Sequence, residues 1–107
     1  MKKGDIVLIP FPFTDLSGVK RRPALVLATK DHDIIVAFIT SRLGTESENE
    51  IDVSPNSANG LKVRSILKLT KIATLEKSLA IGLLGRLGSS DLHDVDLALT
   101  RIFRING

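Results

Sequence analysis

The feature that most restricts the fold is the way the apolar residues are parcelled out along the chain. Through residue 88 they come in short runs, each closed by proline, glycine or a polar turn, and only the last stretch has a helical period. Ile6-Val7-Leu8-Ile9 is closed by Pro10 and Pro12, and Ala24-Leu25-Val26-Leu27-Ala28 starts directly after Pro23, a residue that opens a strand but does not sit in its middle. After the polar turn Asp31-His32-Asp33, the β-branched run Ile34-Ile35-Val36-Ala37-Phe38-Ile39 reads as a strand buried on both faces or nearly so. Glu48 to Val53 alternates weakly, as an edge strand does, and Ser54-Pro55-Asn56-Ser57 and Asn59-Gly60 are turn chemistry. Ser65 to Ile72 alternates again, and Leu79 to Leu84 predicts a last strand before the turn Gly85-Arg86-Leu87-Gly88.

The helix is predicted to follow over residues 90–104. Ser89 or Ser90 can cap it, Asp91 and Asp94 sit where the helix dipole favours anions, and Arg101 and Arg104 sit where it favours cations. Leu92, Val95, Leu99, Ile102 and Phe103 form one apolar stripe. Strands followed by a single packing helix make a small α+β protein, mainly β and barrel-like, rather than a βαβ fold.

With 107 residues, 43% of them apolar, the chain is expected to be one domain with one core. The absence of cysteine excludes disulfide frameworks, thiolate catalysis and Cys-ligated metals, and the two histidines, His32 and His93, make no metal cluster. No apolar run approaches the ~20 residues of a membrane helix. Asp5 follows the N-terminal lysines too soon for a signal peptide, so a cytoplasmic protein without a membrane partner is the expectation. The net charge of +3 is unevenly spread: +4 over residues 1–30, −5 over 31–60, +5 over 61–90 and −1 over 91–107. Two basic blocks around an acidic one suit a positive face that would favour a polyanion by counterion release, although a mixed solvated surface has the same composition.

The segment Pro10 to Pro23 is the most informative for chemistry. It is too long for a hairpin turn, too rich in proline for a strand interior, and ends in Lys20-Arg21-Arg22 against Pro23. Proline biases its predecessor toward extended backbone, so Arg22 is presented on restrained chain, where a guanidinium can hold a phosphate through two parallel hydrogen bonds. The same three cations are also what an ordinary solvated loop contains. Thr40-Ser41-Arg42 leaves the buried strand directly. Its hydroxyls and cation could meet a ribose or phosphate, or the hydroxyls could simply bond their own backbone. Asp91, Asp94 and Asp96 read as helix-face charges rather than metal ligands.

Gly4-Asp5-Ile6-Val7-Leu8-Ile9-Pro10-Phe11-Pro12-Phe13-Thr14-Asp15, followed by Arg21-Arg22-Pro23-Ala24-Leu25-Val26-Leu27, resembles the PemK/MazF family of toxin endoribonucleases. Ala37-Phe38-Ile39-Thr40-Ser41, Ser65-Ile66-Leu67, Lys71 to Leu79 and Gly85-Arg86-Leu87 agree with it in order and spacing, so the resemblance spans nearly the whole chain as one domain, 1–107. It implies an SH3-like antiparallel β-barrel of the CcdB/PemK type with a C-terminal α-helix, normally a homodimer. It further implies sequence-specific, metal-independent cleavage of single-stranded RNA with no cofactor, and inhibition by a cognate antitoxin whose extended tail occupies the RNA groove. By position Arg22 matches the family's active-site arginine, Thr40 its active-site threonine and Ser41 that threonine's neighbour. Lys71 falls where the PemK-like branch carries Asp-Lys, but Thr70 stands here in place of that Asp.

RNA cleavage of this kind needs the adjacent 2′-OH to attack phosphorus, so the protein must stabilise the charge that develops there. Arg22 suits that task and is a poor base, because arginine keeps its proton near neutral pH. Thr40, with Ser41, would position the 2′-OH or a phosphate oxygen; Asp15 and Glu76 are the acidic candidates for the proton. Lys20, Arg21, Arg42, Arg64 and Lys71 are the expected phosphate contacts, with Phe13 and Thr14 as further RNA contacts from the loop. Phe11 and Phe13 could stack on bases or wedge the loop onto the barrel, whereas Phe38 and Phe103 are expected in the core. The alternative is a barrel that binds nucleic acid, or a protein such as a topoisomerase, without turnover, since fold alone does not decide function.

Overall fold

The computed structural model describes residues 1–11, 20–42, 44 and 49–106, with only the backbone at residue 11. Six strands form one antiparallel sheet: β1 (Asp5–Phe11), β2 (Lys20–Lys30), β3 (Asp33–Thr40), β4 (Glu50–Val53), β5 (Ser65–Glu76) and β6 (Gly82–Arg86). The spatial order is β4-β5-β3-β2-β1-β6, and α1 (Ser89–Phe103), the one α-helix among the described residues, follows β6. Register shifts at Ile6/Val7, Val26/Ala28 and Ala37/Phe38 interrupt three of the five ladders. Such bulges bend and twist a sheet, and this one is curled into an open half-barrel.

Alternation along the central strands serves two apolar clusters. Ile6, Leu25, Ala37, Ile39, Leu67 and Leu69 pack under Val95 and Ala98 of α1. Val7, Ile9, Ala24, Val26, Ile34 and Val36 form a second cluster with Leu75, closed by Leu79 and Ala80. Residues 36–39 are covered on both faces, which accounts for most of the continuous apolar run 34–39, whereas Ile35 at 37% exposure lies outside either cluster.

The structure moves several expected boundaries. β2 begins at Lys20, not after Pro23, so the three cations lie in a strand rather than a loop. Pro23 is tolerated because, among the described residues, 20–23 pair only with β1, so the missing donor breaks no ladder on the other side. The predicted strand 79–84 is replaced by a short 3-10 turn over Lys77–Leu79 and a strand starting at Gly82, so Gly85 and Arg86 belong to β6 instead of a turn. Gly88, not a serine, is the N-cap of α1, without a side-chain cap bond. Phe103 lies outside the core at 54% exposure, because the helix buries its Val95 and Ala98 face and packs Leu92, Leu99 and Ile102 beside it.

A polar lock fixes the N-terminus to β6. Asp5 is buried; it accepts hydrogen bonds from the Lys2 N–H at 2.9 Å and the Arg86 Nε at 3.0 Å. Burial pushes the Asp5 carboxyl up, but the Lys2 N–H and the Arg86 guanidinium more than offset this and leave it below the ordinary carboxylate value. The Arg86 N–H in turn donates to Ala58 O at 2.8 Å, tying β6 to the loop between β4 and β5. That loop is organised by fully buried Asn59, whose side chain donates to Ser54 O at 2.9 Å and accepts from the Asn56 and Leu61 N–H groups. A Cβ at Gly85 would collide with Ala58 O, and one at Gly60, which sits at φ +70, with Leu84 O.

Two outcomes follow from this lock. Because the Asp5 carboxyl is held below its usual value when folded, its stabilisation is present above the unfolded value near 3.8 and is lost as the pH falls below it. In urea unfolding, Asp5→Asn should cost about 1.5–3 kcal/mol at pH 7, with the gap to wild type closing as the pH falls below 3.8. Gly85→Ala should lower stability by about 1–3 kcal/mol in the same assay, since a backbone carbonyl must move to admit the methyl group.

Candidate active site

The ladder between β2 and β3 runs from Lys30–Asp33 to Ala24–Phe38 and stops there. Continued in register, Pro23 would face Ile39 and Arg22 would face Thr40, but Pro23 has no N–H to extend the ladder. A cleft of about 470 Å³ opens at this point, lined by Arg22, Pro23, Ile39, Thr40, Ser41 and Arg42. Phe38 of β3 and, from the neighbouring β5, Lys68 and Lys71 complete its lining. Lys68 pairs with Phe38, and the next rung joins Ala37 to Ile72, so residues 69–71 form a bulge that carries Lys71 into the cleft.

Strand geometry therefore gathers residues that are far apart in sequence. Arg22 is exposed on β2, restrained by its rung with Ile9. Thr40 is half-buried at the exit of β3, and its Oγ1 accepts the Arg42 N–H at 3.1 Å, turning the chain so that Ser41 and Arg42 line the cleft. This is the local backbone bond that threonines at strand ends commonly make. The Thr40 hydroxyl keeps its proton and a second lone pair for another partner.

Four cations line the cleft and no carboxylate does, among the described residues. Lys68 is partly neutralised by Glu50, 3.0 Å away on β4. No ion pair joins Arg22, Arg42 or Lys71 to a described carboxylate. A concave site with one sign of charge focuses field and gathers anions. No group of three or more His, Cys, Asp or Glu side chains converges among the described residues.

The structure brings together Arg22, Thr40, Ser41, Arg42 and Lys71 from the sequence expectations, and leaves others out. Lys20 and Arg21 are exposed on β2 but do not line the cleft. Arg64 also lies outside it, and its guanidinium is held by Asp52 through both carboxylate oxygens. Phe13, Thr14 and Asp15 fall outside the described residues. Glu76 pairs with Asp33 at the opposite end of β3 from Thr40, roughly 23 Å away at strand rise, which removes it as a proton acceptor in this cleft. Among the side chains outside the expected site, Phe38 and Lys68 stand out. Phe38 packs against the second apolar cluster, as a core residue does, but is only half-buried and turns part of its surface to the cleft. Lys68 gave no sequence signal beyond its place in an alternating strand.

No helix among the described residues is long and apolar enough to cross a membrane. Compared one sequence at a time with curated proteins, the chain finds no match. Its shape is similar to that of an endoribonuclease solved in complex with its cognate antitoxin from a mycobacterial species, at 16% identity and a TM-score of 0.78 over 100% of this chain and 98% of that one. It is similar to Mycobacterium tuberculosis toxin MazF-mt6 at 20% identity and TM-score 0.78, covering 96% and 99% of the two chains. The MazE–MazF structure from Deinococcus radiodurans matches at 22% identity and TM-score 0.78, covering 99% and 98%. Residues 2–103 match the family model of the PemK-like, MazF-like toxins of type II toxin–antitoxin systems. With a ladder that opens onto a cationic cleft, the fold of those solved proteins and a family match over residues 2–103, the chain belongs to the PemK-like, MazF-like toxin family.

Proposed function

We propose that this toxin is an endoribonuclease that cuts single-stranded RNA by attack of a 2′-oxygen on the adjacent phosphorus, without a metal or cofactor. The observation that carries the proposal is the convergence of Arg22 and the Thr40 hydroxyl on one cleft lined by cations and no described carboxylate. In the transition state the 2′-O–P bond forms, the P–5′-O bond breaks, and negative charge grows on the non-bridging oxygens. Arg22, its backbone held extended by the β1–β2 ladder, stabilises that charge with two guanidinium N–H donors. Thr40, with Ser41 beside it, orients the 2′-OH or a phosphate oxygen. The products are a 2′,3′-cyclic phosphate and a free 5′-OH.

Arg42, Lys68 and Lys71 bind the backbone on either side of the cut. A cleft built for a polyanion also suits an acidic extended segment, which supports a cognate antitoxin whose tail occupies the same groove. The solved relatives crystallised with antitoxins support the same partner. A homodimer acting in the cytoplasm completes the reading; a second copy would cover apolar side chains such as Ile81 and Leu83, which a lone chain leaves exposed.

Mapping the 5′ ends produced from a single-stranded transcript pool in EDTA tests turnover. Discrete cuts bearing 5′-OH are expected. RNA bound but uncut would make the protein a binding barrel, and intact RNA with trapped cleaved DNA would make it a topoisomerase poison. Arg22→Ala should slow cleavage at least a hundredfold, the effect of losing one preorganised donor set worth about 2.7–4 kcal/mol, with an unchanged melting temperature. Lys68→Met and Lys71→Met should each lower the slope of log affinity against log salt by about 0.7 on single-stranded RNA, whereas Arg64→Ala should leave it unchanged.

A further inference from the structure

A second hollow of about 280 Å³ adjoins the cationic cleft and shares Arg22, Pro23, Ile39 and Ser41 with it as a common wall. Its character is different. Leu8, Leu61, Val63 and Leu84 supply hydrocarbon, Gly60 supplies backbone, and Lys62 and Ser65 bring polar groups. Its volume lies just below the roughly 300–1,000 Å³ of sites for drug-sized ligands, so it suits a small planar group.

The slot is preformed. Gly60 is packed so closely on the Leu84 carbonyl that no side chain fits between them. Buried Asn59 ties Ser54, Asn56 and Leu61 together behind it. Arg86, held by Asp5, bonds the same loop through Ala58 O. The Ser65 hydroxyl donates to Val63 O at 2.9 Å, which leaves its oxygen lone pairs free to accept from a ligand.

An occupant that fits both hollows must carry an anion at Arg22 and a flat, largely apolar body with polar edges within reach of it. We propose that the slot binds the nucleobase of one of the two nucleotides flanking the phosphate held by Arg22, and thereby selects the RNA sequence that is cut. This inference rests on the nuclease reading and deepens it. The cationic cleft binds backbone and carries no sequence information, whereas RNA sequence is read from splayed bases that are packed against side chains and hydrogen-bonded on their edges. Leu61, Val63 and Leu84 form the apolar walls here, and Ser41, Lys62 and Ser65 meet the base edge.

Val63 is 54% exposed, so enlarging it blocks the slot without disturbing the core. The test compares wild type with Val63→Trp on a randomised single-stranded RNA pool by 5′-end sequencing, with thermal unfolding and light-scattering mass as accompanying measurements. At one position beside the cut, the kcat/KM ratio between favoured and disfavoured nucleotides should fall at least tenfold, while preferences elsewhere persist. An uncleavable oligonucleotide with a 2′-deoxy sugar at the cut and 2-aminopurine at that position should change its fluorescence on binding wild type and not on binding Val63→Trp. Unchanged nucleotide preferences and an unchanged fluorescence response in a folded Val63→Trp would overturn the assignment. So would a changed mass in solution, which would make the slot a self-association face. A wild-type protein that produces no new 5′ ends would instead defeat the nuclease reading beneath it.

Discussion

Among the described residues, β2 from Lys20 to Pro23 has a strand on one side only, and the site depends on that asymmetry. The β1 ladder keeps the segment extended and stiff, and the missing β3 ladder leaves its other side open. A longer β2–β3 ladder would draw Thr40 and Arg22 into a closed sheet and remove the cleft. A segment without β1 would be a loop, and Arg22 would lose the restraint that makes a guanidinium a specific phosphate ligand. Pro23 stands at the rung where the ladder ends, and the open hollow begins beside it.

The residues that mark the family divide by what they do in the fold. Gly4-Asp5 and Gly85-Arg86-Leu87 lie away from the cleft and hold its surroundings in place. Asp5 grips Arg86, Gly4 accepts the Leu87 N–H, and Gly85 admits the loop that carries Asn59. Arg22-Pro23 and Thr40-Ser41 line the cleft itself. The first group costs buried polar surface and recovers it through fully bonded partners. Its return is a rigid loop forming one side of the second hollow. Two sets of residues that look equally distinctive in the sequence are therefore linked through the wall they share.

Charge is handled in the same divided way. The acidic block of the middle of the chain does not oppose the basic blocks as a whole. It supplies Glu50 and Asp52 on β4, which engage Lys68 and Arg64 across the β4–β5 region. Arg64 is thereby taken up as a structural pair outside the cleft, and Lys68 is steered at its edge. Among the described residues, Arg22, Arg42 and Lys71 have no carboxylate paired with them, so the positive field is concentrated where the ladder opens.

The sequence by itself determined the short strands, the single closing helix, the charge asymmetry and, through motif resemblance, the arginine and hydroxyl residues worth watching. Local chemistry suffices for these, because proline, turn residues and apolar period act within a few positions. Tertiary structure decided the rest. Whether Lys20-Arg21-Arg22 is loop or strand depends on β1, which is remote from any local signal. Phe38 and Lys68 meet at the cleft because they share a rung of the β3–β5 ladder, next to the three-residue bulge that carries Lys71 in, and neither a rung nor a bulge leaves a mark in residue type. Arg64 leaves the candidate set, and Glu76 with it, because a cross-strand partner and the length of a strand separate them from the cleft. Periodicity gives the face a side chain points to; only pairing fixes which other side chains it meets there.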